Sequence, residues 1–289
     1  MTEWTGQNGA CSTDQAANGR EPGERLQVRV HVPEATVAKA AVPTLVYLPG
    51  LHGDWTLIGG FRKAVSGRVR FAELTYPRTL TWSLEDYAAA IEKGLAAVDI
   101  TGGWLLAESF GSQLAWPLLA RGRFQAQGLV LAGGFVTHPA QWMVRLARRM
   151  ARGLPLRILT RTLFGYAIVA RWRFRKEPEV LCGIHEFVAR RTALDIRAAN
   201  HRLDLIAESD PRVLARTVRV PIYAITGMLD PVVPWGPVRR WLRANCQALR
   251  EYHIVRTADH NVLSTGAREA AEKILRWISD AHSTDTVKG

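Results

Sequence analysis

The sequence has little cysteine, no long apolar run and no internal repeat, and each shortage removes a class of protein. Cys11, Cys182 and Cys246 are odd in number and far apart, so they form neither a disulfide framework nor a paired CxxC zinc site, and a reducing compartment, the cytoplasm, is expected. No uninterrupted apolar stretch approaches the ~20 residues that cross a bilayer as a helix. The first 24 residues lack the cationic start and apolar centre of a secretory signal and, rich in Gly, Asn, Gln and Thr, are expected to be a disordered tail. There is no GxGxxG and no P-loop string. His185-Glu186 opens an HExxH-like string, but Ala189 stands where the second zinc histidine belongs, so no metal and no cofactor is expected.

What remains is ample for a core. Of 289 residues 47% are apolar, and 10 Trp, 8 Phe and 6 Tyr supply large side chains, enough for one large domain or a domain with an insertion. Lys and Arg number 38 against 26 Asp and Glu, a net charge of +12 that favours solubility and anionic surfaces or substrates. No nucleic-acid-binding motif accompanies it, so a nucleic-acid partner is not expected.

Residues 26–32 alternate Leu26, Val28, Val30 and Val32 with polar neighbours up to Pro33, the pattern of an edge strand buried on one face. In contrast, residues 44–48, 104–107, 129–132 and 222–225 are short continuous apolar runs, as in parallel strands covered on both sides. A last strand is expected around Tyr252–Val255. Between them lie helical patterns: Ser83 is placed to cap a helix whose Leu84, Tyr87, Ile91 and Leu95 share a face, and Ala267, Ala271, Ile274, Leu275 and Ile278 form the stripe of a closing helix. This alternation predicts an α/β fold, a mostly parallel doubly wound sheet whose ligands sit at the carboxyl ends of the strands.

From 138 to 210 the alternation stops and helical patterns rich in arginine take over, with fourteen basic against seven acidic side chains. The expected organisation is therefore a tail at 1–24, a core at 25–137 and 211–282, and a basic helical cap inserted at 138–210. Within it Trp142, Met143, Leu146, Met150 and Leu154 are expected to share an apolar face, with Arg145, Arg148, Arg149 and Arg152 largely away from it. Such a helix either caps a pocket with solvated arginines or makes weak contact with an anionic membrane surface.

The chemistry concentrates at strand ends. Trp104-Leu105-Leu106-Ala107-Glu108-Ser109-Phe110-Gly111 runs an apolar strand into a serine with small residues two before and two after, the requirement of a strained strand-to-helix turn that presents a nucleophile. The following helix aims its amides at that point, so the Phe110 amide can donate to a developing oxyanion. Pro49-Gly50-Leu51-His52-Gly53 follows another strand and offers a second amide, from Leu51. Asp230 follows the strand at 222–225, and His260 precedes the final helix. The order Ser109, Asp230, His260 is that of a hydrolase triad. Asp259 is a rival acid, though side chains adjacent in an extended loop diverge. Ser112 lies within the helix and lacks the turn, and His52 and Glu108 are candidates to lie near substrate. His31, His138, His185, His201, His253 and His282 are scattered.

On the segments LPGLHG, LLAESFG, ITGMLDPVVP and ADHNVL the sequence resembles the α/β-hydrolase superfamily over about Leu26 to His282, with 138–210 matching only as the variable cap. The resemblance implies that Ser109 attacks a carbonyl carbon, that His260 takes and returns the proton, that Asp230 orients the imidazole, and that the amides of Leu51 and Phe110 bind the oxyanion. Ala107 replaces the commoner first glycine, and Pro117 falls inside the helix after the serine. Haloalkane dehalogenases and epoxide hydrolases of the superfamily carry a carboxylate where Ser109 stands. The expected activity is hydrolysis of a small acyl ester or thioester through an acyl-serine. Acyl transfer, carbon–carbon bond hydrolysis and a non-catalytic binding role for the basic cap are the alternatives.

Overall fold

The computed structural model describes residues 25–33, 42–153 and 192–286. The expected tail at 1–24 and the middle of the insertion, 154–191, lie outside the described residues, and Leu154 and His185 with them.

Seven strands form one sheet: β1 (Gln27–His31), β2 (Thr44–Leu48), β3 (Arg70–Thr75), β4 (Gly102–Glu108), β5 (Gln125–Ala132), β6 (Ile222–Gly227) and β7 (Leu249–Val255). Their order is β1-β3-β2-β4-β5-β6-β7. β1 is the antiparallel edge strand, and all other neighbours are parallel. The apolar runs are continuous because alternate side chains enter two different cores. Val46, Leu48, Leu105, Ala107, Leu129 and Leu131 pack on one side with helices Leu84–Ala96 and Gly111–Arg121. Leu45, Tyr47, Trp104, Leu106, Val130 and Ala132 pack on the other with helices Gly59–Val65 and Ala267–Thr286.

Ser83 caps its helix as expected: its Oγ accepts from the Asp86 amide at 3.2 Å while Asp86 Oδ2 accepts from the Ser83 amide at 2.8 Å. These hydrogen bonds hold the exposed Asp86 carboxyl below its ordinary pKa. The helix after Ser109 continues through Pro117 to Arg121.

β3 has no counterpart among the expected strands. Its sequence, RFAELT, carries a charge in a buried interior: Glu73 is 1% exposed. Arg62 Nε donates to Glu73 Oε1 at 2.6 Å and His31 Nε2 lies 3.0 Å from Oε2, partners supplied by other elements.

β5 and β6 are neighbours in the sheet, and the chain from 138 to 210 leaves and returns between them. Of it, helices Gln141–Gly153 and Ala193–Glu208 are described. The second begins at Thr192, which forms a capping box with Asp195. The faces of the first differ from expectation. Val144 is buried, and Arg148 Nε reaches Asp204 Oδ1 on the second helix at 2.5 Å, so these two residues, one turn apart, face inward. Trp142 and Leu146 instead face outward, 64% and 47% exposed, on the same face as exposed Arg145 and Arg149. The ion pair across the two helices and the burial of Val144 in the core go with this rotation. No helix among the described residues is long and apolar enough to cross a membrane.

Candidate active site

Four strand ends converge where the sheet runs into its loops. β4 ends at Glu108, and Ser109 then takes a left-handed φ of 48°, one of two non-glycine residues with positive φ among the described residues. An L residue holds that conformation only where its surroundings impose it. They do so here: the Ser109 amide donates to Ala132 O at 3.0 Å, and the helix from Gly111 starts at once. Gly111 lets this happen, because a Cβ there would fall 2.2 Å from Leu48 O and 2.9 Å from Pro49 O.

Ser109, His260 and Asp230 form one hydrogen-bonded chain. His260 Nε2 lies 2.9 Å from Ser109 Oγ and Nδ1 lies 2.8 Å from Asp230 Oδ2. Since a carboxylate only accepts, Nδ1 carries the proton and Nε2 is the free acceptor for the serine hydroxyl. The Asp230 carboxylate is fully enclosed, and its other oxygen accepts from the amides of Val232 and Val233 at 2.8 and 2.9 Å. Burial opposes charging His260, yet the hydrogen bond and charge of Asp230, with the charges of Glu108 and Asp259, outweigh it and leave the pKa above its ordinary value.

Asp259 is engaged elsewhere: its Oδ1 accepts from Thr265 Oγ1 at 3.1 Å and the Asn261 amide at 3.0 Å. Ser112 is buried behind the turn, donating to Ser109 O at 2.6 Å and accepting from the Phe135 amide at 3.1 Å. Glu108 is buried on the opposite side of β4 from Ala107. Its Oε2 accepts from the Tyr47 hydroxyl at 2.5 Å, and its charge helps to raise the pKa of His260. Half-buried His52 flanks the serine: the position of a Cβ on Gly50 lies 3.4 Å from His52 Cε1 and 3.5 Å from Ser109 Cβ.

The loop from Pro49 to Gly53 is held by its carbonyls. Tyr76 Oη donates to Pro49 O at 3.1 Å, the Gly53 amide to Gly50 O at 3.0 Å, Arg202 Nη1 to Leu51 O at 2.9 Å, and the Tyr76 amide to Gly53 O at 2.8 Å. A trans peptide points its N–H away from its carbonyl, so with Gly50 O turned toward Gly53 the Leu51 amide faces the other way. Phe110, fully buried against Tyr76 and Tyr87, anchors the other amide at the helix start.

Three residues that hold the site were not singled out for it from sequence. Tyr76 and Arg202 grip the loop. His138 braces the loop around Asp230: its Nδ1 accepts from the Ala140 amide at 3.2 Å, so Nε2 donates to Val232 O at 3.2 Å, beside the amides bound to Asp230. Burial keeps its pKa below the ordinary value, which suits a neutral ring. Spacing alone marks none of the three, because the contacts by which they hold the site, to Pro49 O, Leu51 O and Val232 O, are to backbone atoms distant in sequence.

No family model and no curated protein matches the sequence. Solved structures do. An esterase from Thermogutta terrifontis superposes over 89% of this chain and 94% of its own with a TM-score of 0.67 at 17% identity. The chain has the α/β-hydrolase fold. An enol-lactonase from Burkholderia xenovorans matches over 89% of this chain and 96% of its own, TM-score 0.67, 18% identity. An esterase from Rhodococcus matches over 88% and 94%, TM-score 0.68, 17% identity. The α/β-hydrolase scaffold places its strand ends and loops around Ser109, and no group of three or more metal-binding side chains occurs among the described residues.

Proposed function

We propose that the chain is a serine hydrolase that cleaves a small carboxylic ester or thioester through an acyl-serine intermediate. The observation that carries this reading is the unbroken chain from Ser109 Oγ through His260 to Asp230, with the serine on a strained turn. The geometry supports the following steps. Ser109 Oγ attacks the carbonyl carbon and its proton passes to His260 Nε2; the carbonyl π electrons move to oxygen, which the amides of Leu51 and Phe110 stabilise. Collapse breaks the bond to the leaving oxygen or sulfur, which takes the proton from Nε2. Water then attacks the acyl carbon, again giving a proton to His260, and the second collapse releases a carboxylic acid and restores Ser109.

The solved structures that share the fold include esterases, an enol-lactonase and an N-acyl homoserine lactonase, which favours an ester over other acyl substrates. The insertion at 138–210 serves as a cap over Ser109, a placement supported by Arg202 reaching Leu51 from within it. Its outward face of Trp142, Leu146, Arg145 and Arg149 suits weak contact with an anionic membrane surface. A fluorophosphonate probe tests the central claim: labelling confined to Ser109, with turnover in a panel of esters and thioesters of varied acyl length, is the expected result. Folded protein that takes no label would leave a binding role.

A further inference from the structure

Arg202 is 2% exposed and sits on the helix Ala193–Glu208. A guanidinium keeps its charge when buried, and burial is costly unless the charge is paired and hydrogen-bonded. Among the described residues no carboxylate lies within ion-pair distance of Arg202, although Asp195 and Asp204 on the same helix pair with Arg78 and Arg148. Its partners are two backbone carbonyls, Leu51 O at 2.9 Å from Nη1 and Pro77 O at 3.1 Å from Nη2, and the ring of Tyr76, 5.5 Å from its guanidinium carbon. Nε has no partner among the described residues. The loop wraps the group closely: Gly53 has a φ of 81°, and a Cβ there would fall 2.4 Å from Nη1.

A buried cation with no carboxylate partner among the described residues is an expensive way to fasten a loop, since a neutral donor would satisfy the same carbonyls. Its place explains it. Leu51 O belongs to the peptide that follows the Leu51 amide, so the cation lies one peptide beyond the point where negative charge develops. We propose that Arg202 is a positioning residue of the oxyanion loop: it fixes the peptide after Leu51 and sets a buried positive charge behind the oxyanion. In a water-poor surrounding such a charge acts at that range, and it favours the tetrahedral state over the neutral ester. Since Arg202 belongs to the helix Ala193–Glu208, seating of that helix and competence of the oxyanion loop are coupled. The inference rests on the reading of Ser109 as the nucleophile.

The test uses the full chain and the variants Arg202→Met, Arg202→Gln and Arg202→Lys. Steady-state hydrolysis of a nitrophenyl ester is compared with affinity for an arylboronic acid, which forms a tetrahedral anion on a reactive serine. In Arg202→Met, kcat and boronate affinity are expected to fall together by about tenfold or more while KM moves by less than about threefold. Arg202→Lys, which keeps the charge and loses the fork, is expected to fall between that variant and the parent. A merely structural role would lower the unfolding midpoint without selecting against the boronate. Unchanged boronate affinity in folded Arg202→Met overturns the proposal. If that variant does not fold, Arg202→Gln, a neutral donor, with full affinity for the boronate does so instead, and reduced affinity in Arg202→Gln at an unchanged midpoint supports it. A parent protein that neither takes the fluorophosphonate nor turns over esters removes the nucleophile reading, and this proposal with it. A labelled, active parent with indifferent variants removes this proposal alone.

Discussion

His260 Nε2 stands 2.9 Å from Ser109 Oγ across 151 residues of sequence. If that contact transfers the proton, removing either side chain disables the same step. Ser109→Ala and His260→Ala are each expected to lower kcat/KM by about 10³ to 10⁶, with the double variant little worse than either single one. Steady-state kinetics with unfolding curves checks this, and full activity in either folded variant would rule the assignment out.

As the proposed base, His260 works only with Nε2 unprotonated, so turnover is expected to be lost as pH falls through its pKa. Burial alone would lower that pKa, but Asp230 by hydrogen bond and charge, then Glu108 and Asp259 by charge, raise it above the ordinary value. The acidic limb of kcat/KM is therefore expected above the ordinary histidine value. Asp230→Asn removes the charge and offers Nδ1 the wrong hydrogen-bond partner, so it should cost about 10³- to 10⁴-fold and shift the remaining limb to lower pH. A limb that stays in place would show that Asp230 does not set the titration.

Gly111→Ala tests the turn. The added Cβ would meet Leu48 O at 2.2 Å, and a backbone carbonyl inside a sheet yields poorly. A loss of about 1–3 kcal/mol is expected from overpacking, together with a fall in kcat because the helix carrying the Phe110 amide must shift. Denaturant unfolding and kinetics measure the two effects separately, and wild-type values in both would sink the account.

Trp142, Arg145, Leu146 and Arg149 share the outward face of one helix. Weak binding to anionic vesicles is expected at low salt, declining as the screening length shrinks from about 10 Å at 0.1 M to about 3 Å at 1 M, with none to neutral vesicles. Flotation of Trp142→Ser and of Arg145→Gln with Arg149→Gln should show reduced binding. Retention of the parent protein by neutral vesicles, or by none, would argue against the surface.

Much of the frame was legible because burial on both faces leaves a simple trace. β2, β4, β5 and β6 announce themselves as apolar runs, and Ser109, Asp230 and His260 each follow a recognisable strand end. β3 escaped because Glu73 is tolerated inside only through Arg62 and His31, and no local pattern signals a partner so remote. The helix at 141–153 presents another face than hydropathy favours: Trp142 and Leu146 are exposed, while Val144 is buried and Arg148 pairs with the remote Asp204. Arg202 was one cation among fourteen, distinguished only by the carbonyls it meets.

The contact of Gly111 with the carbonyls of Leu48 and Pro49 has a consequence for divergence. The serine turn is gauged largely on main-chain atoms, the carbonyls of Leu48 and Pro49 beside Gly111 and of Ala132 on the Ser109 amide, with the Ser112 hydroxyl donating to Ser109 O from a side chain. Core residues can be exchanged for others of similar volume without moving that reference, provided one position keeps no side chain at all. A scaffold gauged in this way preserves its geometry while the packing around it drifts.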